Sequence, residues 1–287
     1  MLAVSAGNAL EWFDFVIFGY FAIVISKQFF SSAHPHSSLL LSLGVFGSAF
    51  VMRPLGAIAL GYYADRYGRK SALTLTIAFM MIGTALIAFA PVRDSIGPIA
   101  PYIVVAGRLL QGFSAGGEFG SATALLVEQS AKAKGYFASW QFASQALSVV
   151  LATAFGAALT TALEPAELDA GGWRIPFMVG VLIGPIGIYI RSRIPESLEF
   201  QSIEPSRSPA REVVSSFKRR LVTSFGLVTV ATVTVYTLVF MPTFAVQYLN
   251  ISLSDGFLIS LCTGALQVFL IPAAGALSDR SCADKSL

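Results

Sequence analysis

Five ionisable side chains stand inside runs that are otherwise apolar: Glu11 and Asp14 in EWFDF, Arg53 in VMRPLG, and Arg108 and Glu118 in GRLLQGFSAGGEFG. In such surroundings a carboxyl group can hold and release a proton, and a guanidinium offers a planar fork to a carboxylate. Charge is expensive in hydrocarbon, about 2.5–3.5 kcal/mol per group on insertion scales, so all five positions are candidates for function. Glu11 and Asp14 are three residues apart and share one helical face. They also fit a plainer role, as acidic residues at the interfacial start of a helix. Arg53 precedes Pro54, where a helix is weakened, and a structural role for it weighs as much as a ligand contact. Gln111 lies about 60° and Glu118 about 80° around a helix from Arg108, which puts the three in one stripe. That stripe could face a water-filled cavity, or its charges could simply satisfy buried partners. Gly112, Gly116 and Gly120 recur every four residues, the pattern that lets two membrane helices approach closely. Gln141 and Gln145 add hydrogen-bonding groups suited to a carboxylate or hydroxyl.

The elements that must position these residues are long and apolar. Hydrophobic residues make up 55% of the 287, charged residues 12%, and the mean hydropathy is +0.71, against about 25% charged for a soluble domain. The chain therefore reads as an all-α polytopic membrane protein. A span needs about 20 mostly apolar residues, and that rule marks eight, at 9–30, 39–63, 72–91, 98–127, 135–163, 173–191, 221–247 and 256–278. The first carries Glu11 and Asp14 and lacks a basic leader, so a cleavable signal peptide is not expected. Cys262 and Cys282 form no disulfide framework, and His34 and His36 read as solvated residues of a short outer loop. Metal-ligand spacing, a nucleophile elbow and a phosphate loop are all missing from the sequence, which argues against an enzyme and gives no nucleic-acid signature.

Between the second and third spans lies GYYADRYGRK, residues 61–70, a polar turn that must sit at a membrane surface. Gly61 and Gly68 suit a tight reversal, and the three cations Arg66, Arg69 and Lys70 hold a short loop on the cytoplasmic side. Lys132, Lys134, Arg191, Arg193, Arg207, Arg211, Lys218, Arg219, Arg220, Arg280 and Lys285 fall on that same side, while the opposite side shows chiefly Lys27, Arg93 and Arg174. Both termini are thus expected in the cytoplasm. The stretch 192–219, with three prolines and several charges, reads as a cytoplasmic linker. GALSDR at 275–280 repeats the GYYADR of 61–66, as expected of six-helix repeats. The expected division is a complete six-helix bundle over 1–191, the linker, and the first two helices of a second bundle over 220–287.

GYYADRYGRK resembles the loop signature G-x-x-x-D-R-x-G-R-K of the major facilitator superfamily, with Gly61, Asp65, Arg66, Gly68, Arg69 and Lys70 in register. GNALEWFDF, RPLG, RLLQGFSAGGEFG and IPES at 194–197 narrow the resemblance to the metabolite:proton symporter family, whose members carry citrate and other di- and tricarboxylates, 2-oxoglutarate, shikimate, or proline and betaine. YFASWQFASQ at 136–145 and VYTLVFMPT at 235–243 are most similar to its citrate-type members. The resemblance implies a major facilitator fold in the bilayer of the cytoplasmic membrane, with a small organic anion as substrate and protons as the coupling ion in place of a cofactor. It implies that Arg108 and Arg53 meet a substrate carboxylate, with Gln111, Gln141 and Gln145 hydrogen-bonding beside them. Asp14, Glu118 or Glu11 would carry the proton. Asp65 and Arg69 would latch one bundle to the other, with Asp279 and Arg280 as the second copy of that loop. After Arg280 the signature breaks off. Relative to a twelve-helix member about four helices are expected to be missing, and a remnant that inserts without transporting is the rival expectation.

Overall fold

The structure is a computed structural model that describes residues 2–30, 35–130, 132–192, 217–249, 251 and 253–283. Among these the regular structure is entirely helical: α1 (Leu2–Tyr20), α2 (Ala22–Phe29), α3 (Pro35–Tyr67), α4 (Arg69–Ala88), α5 (Arg93–Ile96), α6 (Ala100–Val127), α7 (Lys134–Ala162), α8 (Pro165–Ala170), α9 (Ile175–Ser192), α10 (Lys218–Leu249) and α11 (Leu253–Ala283). Seven helices are long and apolar enough to cross a membrane. An eighth span is complete only if α1 and α2 count together, because they meet at a bend of 66°. This is a multi-pass membrane protein. The first expected span is therefore two helical pieces, and it begins seven residues earlier than its apolar run suggests.

Three other local expectations change. The polar stretch 61–70 is not a loop: α3 continues to Tyr67, α4 starts at Arg69, and Gly68 alone lies between them, at φ 96°. That positive φ is cheap for glycine and makes the whole reversal possible in one residue. Gly61 has no comparable duty, since a Cβ added there would meet nothing within 4 Å. His36 belongs to the first turn of α3 and not to a loop. Residues 193–216 of the expected linker, IPES among them, lie outside the described residues, as does His34.

Proline and glycine set the joints. Pro98 and Pro101 open the turn before α6 and α6 itself, and Pro165 opens α8 behind a reciprocal cap between Glu164 and Glu167; proline's missing N–H costs nothing in a first turn. In lipid the hydrophobic effect does not drive helices together, so contact depends on close backbone approach and polar bridges. Both are present. A Cβ on Gly112 would overlap the carbonyl of Ala49, one on Gly116 that of Arg53, and one on Gly56 that of Phe113, which fixes α6 against α3. Gly83 and Gly107 bring α4 to α6 in the same way. Gly120, the last of the four-residue series, faces open space. The pairs α1–α7 and α4–α9 also pack along their lengths. At the end of the bundle away from Gly68, Phe29, Trp173 and Phe177 are buried with their neighbours from α1 and α6. The first half of α10, by contrast, presents Leu221, Val222, Phe225 and Leu227 outward.

Candidate functional site

Five helices line a partly open cavity of about 490 Å³. α1 contributes Asn8, Glu11 and Trp12; α3 Phe50 and Arg53; α6 Gly116 and Glu118; α7 Phe142 and Gln145; and α10 Val228, Thr232 and Val235. The space exists because α6 is glycine-faced where it meets α3, so the two backbones touch and their longer side chains splay to either side. Most of the lining is aromatic or aliphatic, with a few convergent polar groups, the usual make-up of a small-molecule site.

Arg53 is the cation of that wall. Its guanidinium stacks over the rings of Phe50 at 4.5 Å, Phe15 at 4.9 Å and Trp12 at 5.2 Å, and Nη2 donates to the Tyr236 hydroxyl at 3.3 Å. Nε has no hydrogen-bond partner among the protein atoms. Nor has Nε2 of Gln145, which is buried at the cavity wall. The cavity thus presents a ring-held cation with donors available to an acceptor.

Arg108 lies behind the wall. It is fully buried and lines neither this cavity nor any other described one. Phe15, Phe18 and Phe46 surround its guanidinium at 4.5, 4.5 and 5.0 Å, and Nη1 donates to Gln111 Oε1 at 2.8 Å. Gln111 in turn donates to Thr84 Oγ1 at 2.9 Å, and Thr84 donates to Asp14 Oδ2. The stripe of the sequence is real in that Arg108, Gln111 and Glu118 are all buried on one side of α6. It is split in use, since Glu118 borders the cavity while the other two form a polar chain across α6, α4 and α1. Thr76 offers its hydroxyl to Glu118 at 3.4 Å. Gln141 does not line the cavity: its Nε2 donates to Asn8 Oδ1 at 3.1 Å, and Asn8 Nδ2 donates to the Gln141 backbone carbonyl at 2.9 Å, joining α7 to α1.

The residues of the 61–70 turn and of its second copy fall in different surroundings. Asp65, Arg66 and Arg280 are exposed, and Arg66 donates to Tyr62 one turn back at 3.2 Å. Arg69 pairs with Glu128 at the end of α6, and so ties together parts of the first bundle. Asp279 makes the long-range contact. Its carboxylate accepts the backbone N–H of Gly135 at 2.7 Å and of Tyr136 at 2.8 Å, capping the start of α7. Gly135 and Gly275 allow it, since a Cβ on Gly275 would meet the carbonyl of Gly135 at 2.6 Å. Thr84 and Glu128 belong to no motif in the sequence, and Asn8 and Tyr236 lie within GNALEWFDF and VYTLVFMPT without being singled out there. Their motif membership and helical register were the signals that could have singled them out. Among the described residues three or more His, Cys, Asp or Glu side chains nowhere group as metal ligands.

Comparisons with known proteins agree with this architecture. Residues 1–224 match the family described as sugar (and other) transporter. The chain is 40% identical over 284 residues to a citrate-proton symporter of Klebsiella pneumoniae, covering 98% of this chain and 64% of that one. It is 34% identical over 293 residues to a proline/betaine transporter of Escherichia coli, at 97% and 59% coverage. The fold matches the crystal structure of a D-xylose-proton symporter with a TM-score of 0.69 at 16% identity, over 93% of this chain and 65% of that one. The chain thus spans about two thirds, or somewhat less, of the length of these relatives. It belongs to the sugar (and other) transporter family, within the major facilitator superfamily.

Proposed function

We propose that the protein is the substrate-binding part of a proton-coupled carrier for a small organic acid of the di- or tricarboxylate class, working by alternating access in the cytoplasmic membrane. The observation that carries the reading is the cavity of about 490 Å³ in which Arg53 faces Glu11, Glu118 and Gln145. A carboxylate entering it would meet the guanidinium and the amide of Gln145, and the aromatic rings around Arg53 would keep water from screening the pair. Glu11 and Glu118, beside the substrate, and Asp14, behind them, supply the groups that take up the coupling proton. Arg108 then acts as a positioning residue, orienting Asp14 through Gln111 and Thr84. The citrate-proton symporters of Klebsiella pneumoniae and Salmonella typhi, at 40% and 39% identity, support citrate as the first substrate to try. The Lys/Arg asymmetry supports cytoplasmic placement of the α3–α4 and α6–α7 connections.

Proline and betaine carriers at 34% identity favour a second reading, a zwitterionic osmolyte. A zwitterion presents one carboxylate and a cation, which the same mixture of Arg53 with two glutamates could also hold. Citrate and betaine binding to the purified protein separates the two. Uptake is then measured in proteoliposomes under an inward proton gradient, with the chain as it stands and with α11 continued by the corresponding remainder of the Klebsiella citrate-proton symporter. Citrate accumulation that collapses with a protonophore is expected in the continued form. Betaine binding with no citrate binding would overturn the organic-acid reading.

A further inference from the structure

The last two helices are held to the rest of the protein in different ways. α11 lies against α7 by close approach: a Cβ on Gly275 would meet the carbonyl of Gly135 at 2.6 Å, and one on Gly264 the side chain of Val150 at 3.0 Å. α10 has no such glycine contact among the described residues, since a Cβ on Gly226 would meet nothing within 4 Å. The hydroxyls of Thr223, Thr229, Thr234 and Thr237 turn back to carbonyls of α10 itself, four residues earlier. Tyr236 reaches across. Its ring stands edge-on to Phe50 of α3 at 4.8 Å and lies 6.0 Å from Trp12 of α1, and its hydroxyl accepts a hydrogen bond from Nη2 of Arg53 at 3.3 Å. Thr232, one turn earlier on α10, lines the large cavity, so a ligand there arrives beside this bond.

The bond occupies part of the arginine that a substrate needs. A guanidinium takes a carboxylate in a fork of two parallel N–H groups, and one such fork is the edge that carries Nε and Nη2. On Arg53 the Nε corner of that edge has no partner among the protein atoms, while the Nη2 corner is held by Tyr236. At 3.3 Å the hold is long for an N–H···O bond, and its acceptor is a neutral phenol. A carboxylate would take the same edge with two shorter bonds that carry charge on both partners. The phenol and an incoming anion therefore compete for Nη2.

We propose that Tyr236 is a clasp between α10 and the first bundle, and that a substrate carboxylate releases it by taking the Nε–Nη2 edge of Arg53. The inference rests on the carrier reading above and deepens it, because it turns occupancy of Arg53 into freedom of α10. With the cavity empty, the phenol keeps α10 against α1 and α3. With the edge taken, α10 loses that bond while α11 stays on α7 through Gly264 and Gly275. Tyr236 is thus a positioning residue that acts through Arg53. A ligand shifts such an equilibrium only by its preference for one state, and here the preference is the bond that it displaces. The clasp consequently weakens substrate binding, since part of the interaction with Arg53 goes into opening it.

The test is Tyr236→Phe, which keeps the ring contacts and removes the hydroxyl. Calorimetric titration of the purified protein should give a citrate Kd about three- to tenfold tighter than in the unmodified protein, the worth of one ordinary hydrogen bond. A phenol that serves the substrate directly would give weaker binding in the same variant; that result, or an unchanged Kd, overturns the proposal. Spin labels on cysteines at Leu40 of α3 and Tyr248 of α10, with Cys262 and Cys282 replaced by serine, read the second consequence. Both sites are exposed, and each lies about three turns from the Phe50–Tyr236 contact on the side away from the cavity. Citrate should enlarge the longer-distance population in the unmodified protein, and Tyr236→Phe should enlarge it without citrate, by about the same three- to tenfold ratio. A merely structural hydroxyl would lower the melting temperature and move neither quantity. If citrate binds neither protein while Tyr236→Phe still lengthens the distances, the clasp stands and the organic-acid reading fails. Citrate that binds both proteins alike, with the distances unmoved, keeps that reading and removes the clasp.

Discussion

Replacing each interior arginine by lysine should separate substrate binding from structure, because lysine keeps the charge but loses the planar fork. Arg53 borders the cavity, and its Nε has no partner among the protein atoms. A carboxylate bound there would lose about one charge-assisted hydrogen bond in Arg53→Lys, worth roughly 1.5–3 kcal/mol, or about 10- to 150-fold in Kd. Arg53 also stacks on three rings, but it is half-buried at the cavity wall, where an ammonium can keep a wet cation–ring contact, and its bond to Tyr236 is 3.3 Å long, so the melting temperature should fall less than in Arg108→Lys. Arg108 should behave in the opposite way. Its guanidinium is fully buried among three rings at 4.5–5.0 Å and holds Gln111 at 2.8 Å. An ammonium on a flexible stem cannot stack on these rings or reach Gln111 in the same plane, which costs roughly 2–4 kcal/mol of stability. Calorimetric citrate titration and thermal unfolding of both variants in the same detergent read the two quantities. A weakened Kd with normal unfolding for Arg108→Lys, and the reverse for Arg53→Lys, would refute the assignment of the substrate carboxylate to Arg53.

Two further outcomes follow from the packing. Gly112→Ala and Gly116→Ala place a methyl group on the carbonyls of Ala49 and Arg53, where neither backbone can yield, so each should lower stability by about 1–3 kcal/mol or prevent folding. Gly120→Ala and Gly61→Ala, with nothing within 4 Å, should be neutral or slightly stabilising in the same thermal unfolding assay, and a like loss in all four would sink the close-approach argument. Asp279→Ala leaves the N–H groups of Gly135 and Tyr136 uncapped, at a cost of about 0.5–2 kcal/mol. A cysteine at Ser139, which packs against Gly275, should then react faster with a thiol reagent; an unchanged rate would mean that the Asp279 contact does not hold α11 to α7.

Much of the fold was legible because its causes are local. The apolar runs mark every span, and the four-residue glycine series marks α6 as a helix that another approaches closely, which the structure shows to be α3 at Gly112 and Gly116. The misreadings have local causes. A run of charges at 61–70 looks like a loop when hydrophobicity alone is counted. Yet Asp65, Arg66 and Tyr67 continue α3 beyond the apolar part, because a helix satisfies its backbone equally well in the interface and only Gly68 is needed to reverse the chain. The bend between α1 and α2 left no mark in the apolar run, since no proline stands there.

The site was legible as a list of residues and not as an arrangement. Rarity of charge in lipid selects Glu11, Asp14, Arg53, Arg108 and Glu118 from one sequence, because each must find partners inside the protein. Which arginine meets the cavity is decided by neighbours that the list does not contain. Three phenylalanines from α1 and α3 close over Arg108, whereas Arg53, on the glycine-approached face of α3, is carried forward by the contact of its own carbonyl with Gly116. A helical stripe on α6 predicts that Arg108 and Glu118 point inward, and they do. It cannot say that α9 meets the Asp14 carboxyl at Gly180, where an added Cβ would overlap Oδ1, while Glu118 of the stripe borders the large cavity.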